Sequence, residues 1–268
     1  MIRRKMHRVA GCVWVILLIL TGCSLQMKRS EESLPEIKIG IDAMYTPYTY
    51  IDDQGKFAGL DIDLATEAFK RASYEPVFVA IDWKKKKDCL ADKTVDCVWS
   101  CFSMDERQKE YAWSRPYLYS SQVVAVRSDS GINHVDQLRD KNIAVQYDTR
   151  AEKLFQQADP DKVPTVAYVY SLASLGECFQ AMQSGNVDGV AGHRTAVETC
   201  AKSSDVSYRI LPESIANNRL GVAFDKTHTP YRIKDALNKA LAEMEQDQTI
   251  IKILHKWGMS AEQEYVKP

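Results

Sequence analysis

Hydrophobic positions in this chain follow two alternating rhythms. Ile37, Ile39 and Ile41 repeat at every second residue, which predicts a strand. Ile62, Leu64, Ala65, Ala68 and Phe69 recur at helical spacing within Asp61–Ala72, which predicts an amphipathic helix. The pattern continues with a strand over Pro76–Ile81, a helix capped by Asp82 and running to Leu90, and a short buried strand over Val95–Trp99. It resumes with a strand at Asn142–Gln146, a helix from Thr149, a strand at Val166–Val169, a helix from Ser171 and a strand at Val187–Ala191. Gly185 suits the left-handed position just past the last of these helices. Strands and helices alternating at this spacing predict α/β layers with mostly parallel sheets.

Two apolar, extended stretches stand apart: Gln122–Val126 and Leu220–Phe224. They bracket the middle third of the chain. A discontinuous first lobe, an inserted second lobe and two crossing strands explain that placement. A cleft then lies at the crossing, where hinge closure traps a ligand. A single large sheet is the alternative. No internal repeat or low-complexity segment is evident.

The N-terminal region carries a different message. Arg3, Arg4, Lys5 and Arg8 precede an almost unbroken apolar run, Val9 to Leu20, which ends in Leu20-Thr21-Gly22-Cys23. A basic start, a short apolar run and small residues at its exit describe a secretory signal over residues 1–22. The run is short for a membrane span. An uncleaved anchor helix is the alternative. Leu20-Thr21-Gly22-Cys23 resembles the lipobox of bacterial lipoproteins, which implies cleavage before Cys23 and lipidation (palmitate) of that residue. Residues 23–35 then read as a flexible tether ending at Pro35. Either form puts the body outside the cytoplasm, on the cell surface or in the periplasm.

Charge narrows the partners. The chain has a formal net charge of −1, and its leader holds four basic and no acidic side chains, leaving an exported part of about −5. That balance argues against nucleic acid. It leaves room for a small anionic ligand, because local charge governs such a site. Five cysteines remain after Cys12 and Cys23: Cys89, Cys97, Cys101, Cys178 and Cys200. No CxxC motif and no Cys/His cluster with zinc spacing occurs, so neither metal nor cofactor is expected. Small core thiols and a structural disulfide both remain open.

The candidate chemistry begins where the Val95–Trp99 strand ends. Ser100, Cys101 and Ser103 put hydroxyl and backbone groups at the carboxyl end of a strand, where open α/β sheets bind ligands. A helix is expected from Met104, with Arg107 in its first turn. A guanidinium there matches a carboxylate with two parallel hydrogen bonds; a surface arginine on an amphipathic helix is the plainer reading. Lys84-Lys85-Lys86-Lys87 is expected to be a solvated helix face.

Several motifs in order resemble one family, and the similarity runs from Glu36 to about Gly258. They are Gly40-Ile41-Asp42 with Tyr45-Thr46-Pro47-Tyr48, then Gly55-Lys56-Phe57-Ala58-Gly59-Leu60-Asp61-Ile62-Asp63-Leu64, then Asp82-Trp83. Asp105-Glu106-Arg107 with Pro116-Tyr117, Gly192 and Lys256-Trp257-Gly258 complete the order. Together they resemble the polar amino-acid-binding proteins of ABC importers, the bacterial family 3 solute-binding proteins. The resemblance implies a two-lobed, type II periplasmic-binding-protein-like α/β fold, with a mixed sheet flanked by helices in each lobe. It puts lobe 1 at 36–124 and 221–268, and lobe 2 at 125–220. The implied protein is a monomeric, non-enzymatic binding protein without a cofactor. It captures an amino acid or related carboxylate and delivers it to the transmembrane subunits of an ABC permease.

Roles carry over from the resemblance residue by residue. Tyr45 and Trp83 fall where aromatic rings sandwich the ligand's side chain. Ser100, Cys101 and Ser103 fall where backbone and hydroxyl groups meet its ammonium and carboxylate, and Arg107 where the α-carboxylate is clamped. Asp148-Thr149-Arg150 matches a Gly-Thr-Thr turn at a helix start, with Asp148 in place of glycine. The main departure is His193, which stands where the family has an aspartate for the ammonium. A neutral imidazole accepts a hydrogen bond, whereas a protonated one repels a cation. Either Asp42 or another first-lobe acid takes the ammonium, or the solute is more anionic. Relatives resembling cyclohexadienyl dehydratases supply an enzymatic alternative on the same scaffold, with His193 as proton donor.

Overall fold

The computed structural model describes residues 33–264. The leader, Cys23 and most of the tether lie outside the described residues. Two mixed sheets organise the rest, within one compact unit that begins at Leu34. The first runs in the order Glu75–Ala80, Glu36–Ile41, Cys97–Val98, Ala223–Phe224, Ala112–Trp113. Its first two pairings are parallel and its last two antiparallel. The second runs Tyr168–Leu172, Asn142–Gln146, Gly189–His193, Leu118–Arg127, Tyr208–Ile210, and Ala216–Leu220 also pairs with Leu118–Arg127. A small antiparallel sheet of Met44–Tyr45, Thr49–Ile51 and Phe57–Ala58 leads into the first helix.

Both faces of the second sheet are covered, which explains its continuous apolar runs. Val123 and Ala125 enter one hydrophobic cluster, while Val124 and Val126 enter another on the opposite face. Ala144 and its neighbours Ile143 and Val145 divide in the same way.

The Leu60–Arg71 helix buries Leu60, Ile62, Leu64, Ala65, Ala68 and Phe69, the stripe its spacing predicts. Its start depends on Gly59, whose φ is 133°. A Cβ there would lie 2.1 Å from the Tyr48 carbonyl oxygen, so only glycine fits. That carbonyl accepts the Asp61 N–H at 2.9 Å, tying the helix start to the aromatic loop. Gly185, at φ 75°, follows the Leu175–Gln183 helix as expected.

Several expectations need correction. Gln122–Val126 lies inside the second sheet, paired with Gly189–His193. Leu118–Ser121, just upstream, pairs with Asn217–Leu220. Leu220–Phe224 is not one strand: Leu220 ends a strand of the second sheet, and Ala223–Phe224 joins the first. The helix placed at Ser171 begins at Leu175, capped by the Ser174 hydroxyl, because the preceding strand extends to Leu172. No helix starts at Met104. That segment is a series of turns, with Arg107 N–H on the Met104 carbonyl and Glu110 N–H on the Arg107 carbonyl.

The lysine run is also not uniformly solvated. Lys84, Lys85 and Lys87 are exposed, but Lys86 is fully buried. Asp82 caps a short 3-10 turn at Trp83–Lys85 before the Lys86–Ala91 helix, and buried Lys86 donates to the Trp83 carbonyl and pairs with Asp148. Cys89, Cys97, Cys101, Cys178 and Cys200 are all free thiols, and Cys97, Cys101 and Cys178 are buried. Among the described residues, no helix is long and apolar enough to cross a membrane.

Candidate functional site

The predicted residues converge. Asp42, Tyr45, Trp83, Ser100, Cys101, Ser103, Arg107, Thr149, Arg150 and His193 line one cavity, together with Phe102, Gln146 and Asp148. It leaves about 20 Å³ open to a water-sized molecule. Asp42 follows one strand of the first sheet, and Ser100–Ser103 follow another. Gln146 and His193 end neighbouring strands of the second sheet. Both sheets therefore contribute the carboxyl ends of strands, where backbone groups are free to meet a ligand.

Side chains bridge the two halves around the cavity. Gln146 Nε2 donates to Asp42 Oδ2 at 2.6 Å. Arg107 Nη2 donates to the Asp148 carbonyl at 3.0 Å and lies 3.7 Å from its carboxylate. Lys86 pairs with the same carboxylate, and Arg150 holds Glu106 through two guanidinium nitrogens. Tyr147 Oη donates to Asp82 at 2.8 Å further out. Asp148 has φ 51°, so the turn keeps a left-handed residue without glycine. Its N–H is met by Glu152 Oε2 at 2.6 Å, and the Thr149 hydroxyl caps Glu152 N–H.

Aromatic rings wall the cavity. Tyr45 stacks on Tyr48 with centroids 6.1 Å apart and meets His193 edge-on at 6.3 Å. Trp83 packs edge-on against Phe102 at 5.1 Å. Lys86 Nζ stands 4.6 Å from the Trp83 ring centre, and the Arg107 guanidinium 5.4 Å from that of Phe102. These cation–π contacts hold the two cations in place while they face the opposite half.

Burial sets the local electrostatics. It pulls the His193 imidazole down to about 3, helped by the Arg107 charge, so the ring is neutral near pH 7. It lowers Lys86 to about 8, against the pull of Asp148. It raises Asp42, opposed by hydrogen bonds from Met44 N–H and Gln146. Among the described residues, His193 Nδ1, Ser103 Oγ and Arg150 Nε are buried without a partner. Buried polar atoms are normally satisfied, and these three belong to residues that line the cavity.

Two acids behind the wall were not among the candidate site residues. Asp61 Oδ2 accepts the Cys101 N–H at 2.5 Å and the Tyr117 hydroxyl at 3.0 Å. It thereby holds Cys101, at φ 45°, in a left-handed conformation. Glu264 accepts the Tyr48 hydroxyl at 2.9 Å through one oxygen and the Thr195 hydroxyl through the other. Tyr48 backs Tyr45, and Thr195 follows His193 in the next helix. Burial pushes both carboxyls up to about 7. Asp61 stood in the Gly55–Leu64 motif without a site role assigned to it; Glu264 carried no signal. Gln146 was legible as the last residue of a strand. No cluster of three metal-ligating side chains occurs among the described residues.

A model of the bacterial extracellular solute-binding proteins, family 3, matches residues 37–260. The chain belongs to that family. It is 25% identical over 248 residues to the L-cystine-binding protein TcyJ of Escherichia coli, covering 89% of this chain and 91% of that one. It is 30% identical over 253 residues to the lysine/arginine/ornithine-binding periplasmic protein of Escherichia coli, covering 90% and 94%. Among solved structures, an ancestral arginine-binding protein bound to arginine superposes with a TM-score of 0.75 at 27% identity, covering 84% of this chain and 99% of that one. The two-lobed, type II architecture expected from the sequence is therefore the architecture of this solute-binding protein.

Proposed function

We propose that this solute-binding protein captures an amino acid in the cleft between its lobes and presents it to the permease of an ABC importer. The observation that carries the reading is one cavity that draws Arg107 and Asp42 together with Tyr45 and His193 from both sheets. Arg107 takes the α-carboxylate as a charge-assisted pair. Asp42 takes the α-ammonium, and neutral His193 accepts a further hydrogen bond from it. Ser100, Cys101, Ser103, Thr149 and Arg150 complete the polar shell, and Tyr45 and Trp83 flank the solute's side chain. Leu118–Ser121 and Asn217–Leu220 act as the hinge. The names of the relatives, which bind cystine or basic amino acids, support this class of solute.

The body works as a monomer outside the cytoplasm, held to the membrane by lipid on Cys23. Isothermal calorimetry with the proteinogenic amino acids and L-cystine tests the binding reading. At least one should bind with micromolar or tighter affinity, and no binding across that panel would overturn it. Membrane fractionation of Cys23→Ser tests the anchor. The variant should be soluble or remain an unprocessed precursor; normal processing and membrane retention would refute lipidation.

A further inference from the structure

We propose that the cleft selects amino acids of zero net charge over both basic and acidic ones. This rests on the amino-acid reading above and adds a selectivity to it. The charged groups at the cavity balance among themselves. Arg107 and Arg150 line it with Asp42 and Asp148, while Lys86 and Glu106, outside the lining, pair with Asp148 and Arg150. Asp148 stands between Lys86 and Arg107, and Glu106 is forked by Arg150. Both arginines and Lys86 are nearly or fully buried, so water screens these charges poorly.

A zwitterionic main chain preserves that balance. Its carboxylate meets Arg107 and its ammonium meets Asp42, leaving no charge over. A cationic side chain would need another acid at the cavity. Asp148 and Glu106 are already engaged by cations. Asp61 lies behind Cys101, with one oxygen committed to that residue's N–H and to Tyr117. An anionic side chain would need another cation, yet Lys86 and Arg150 are both paired. An uncompensated charge in a closed cleft is strongly disfavoured.

The unpartnered groups favour the same class. Ser103 Oγ and the neutral His193 imidazole can each donate or accept, and Arg150 Nε donates. An uncharged polar side chain satisfies such atoms without adding charge.

The test is calorimetry at pH 7.5 with L-glutamine, L-serine, L-cystine, L-arginine, L-lysine and L-glutamate. A net-neutral member should bind at least tenfold more tightly than arginine, lysine and glutamate. If a charged member binds best, or within tenfold of the best neutral one, this selectivity is wrong while the amino-acid reading stands. If none of the six binds, the selectivity falls, and the broader panel decides the amino-acid reading. A second arm uses Glu106→Gln, which removes the carboxylate that holds Arg150. The ratio of glutamate to glutamine affinity should then rise at least tenfold, and an unchanged ratio would overturn the charge-balance argument.

Discussion

Gln146 Nε2 lies 2.6 Å from Asp42 Oδ2, so a side chain at the end of one sheet's strand closes on a carboxylate just past a strand of the other. Gln146 also donates to the Ala173 carbonyl at 3.0 Å, which anchors it on its own side. A hydrogen bond to a charged group contributes about 1.5–3 kcal/mol. Gln146→Ala should therefore weaken the tightest-binding amino acid about tenfold or more in calorimetry. An unchanged Kd would mean that this bond does not help to close the cleft.

Arg107 is 1% exposed and has its guanidinium over Phe102. Removing one partner of a buried charge pair costs on the order of 2–5 kcal/mol. Arg107→Ala should lower affinity at least tenfold, and Arg107→Lys should recover only part of it, because an ammonium cannot form the two parallel bonds. Equal affinity of Arg107→Ala and wild type would exclude the carboxylate clamp.

Stability should depend on pH from both sides. Asp61 and Glu264 sit at about 7, above the ordinary carboxylate range near 4. The folded state therefore holds extra protons between those values. Their stabilising contribution is full below about 4 and is lost as pH rises through 7. His193 has the opposite sign: at about 3, its contribution is full above the ordinary 6.5 and is lost as pH falls toward 3. Melting curves from pH 4 to 8.5 should show Asp61→Asn and Glu264→Gln flattening the alkaline decline, and His193→Asn flattening the acid one. Profiles parallel to wild type would contradict these assignments.

Gly59 should not tolerate a side chain. Its φ of 133° and the 2.1 Å approach of a Cβ to the Tyr48 carbonyl combine strain with a backbone clash. Gly59→Ala should cost at least about 2 kcal/mol and lower Tm by roughly 5 °C or more. A Tm within 1 °C of wild type, where the prediction is roughly 5 °C, would show that the Tyr48 loop can move aside.

Local pattern determined much of this molecule by itself. Period-two and helical spacing located the strand at Glu36–Ile41, the helix at Leu60–Arg71 and the strand at Asn142–Gln146, because a residue's face in such elements depends only on its neighbours in sequence. Ordered motifs then pointed to Arg107, His193 and the other lining residues. Three-dimensional packing decided what local pattern could not. Gln122–Val126 joined the second sheet because pairing partners, not hydrophobicity, assign a strand to a sheet. Lys86 left the solvated run for Asp148, a residue 62 positions away in sequence. Glu264 reached Tyr48 across 216 positions, and Gln146 reached Asp42 across 104. Such contacts depend on distance in space, and no spacing along the chain encodes them.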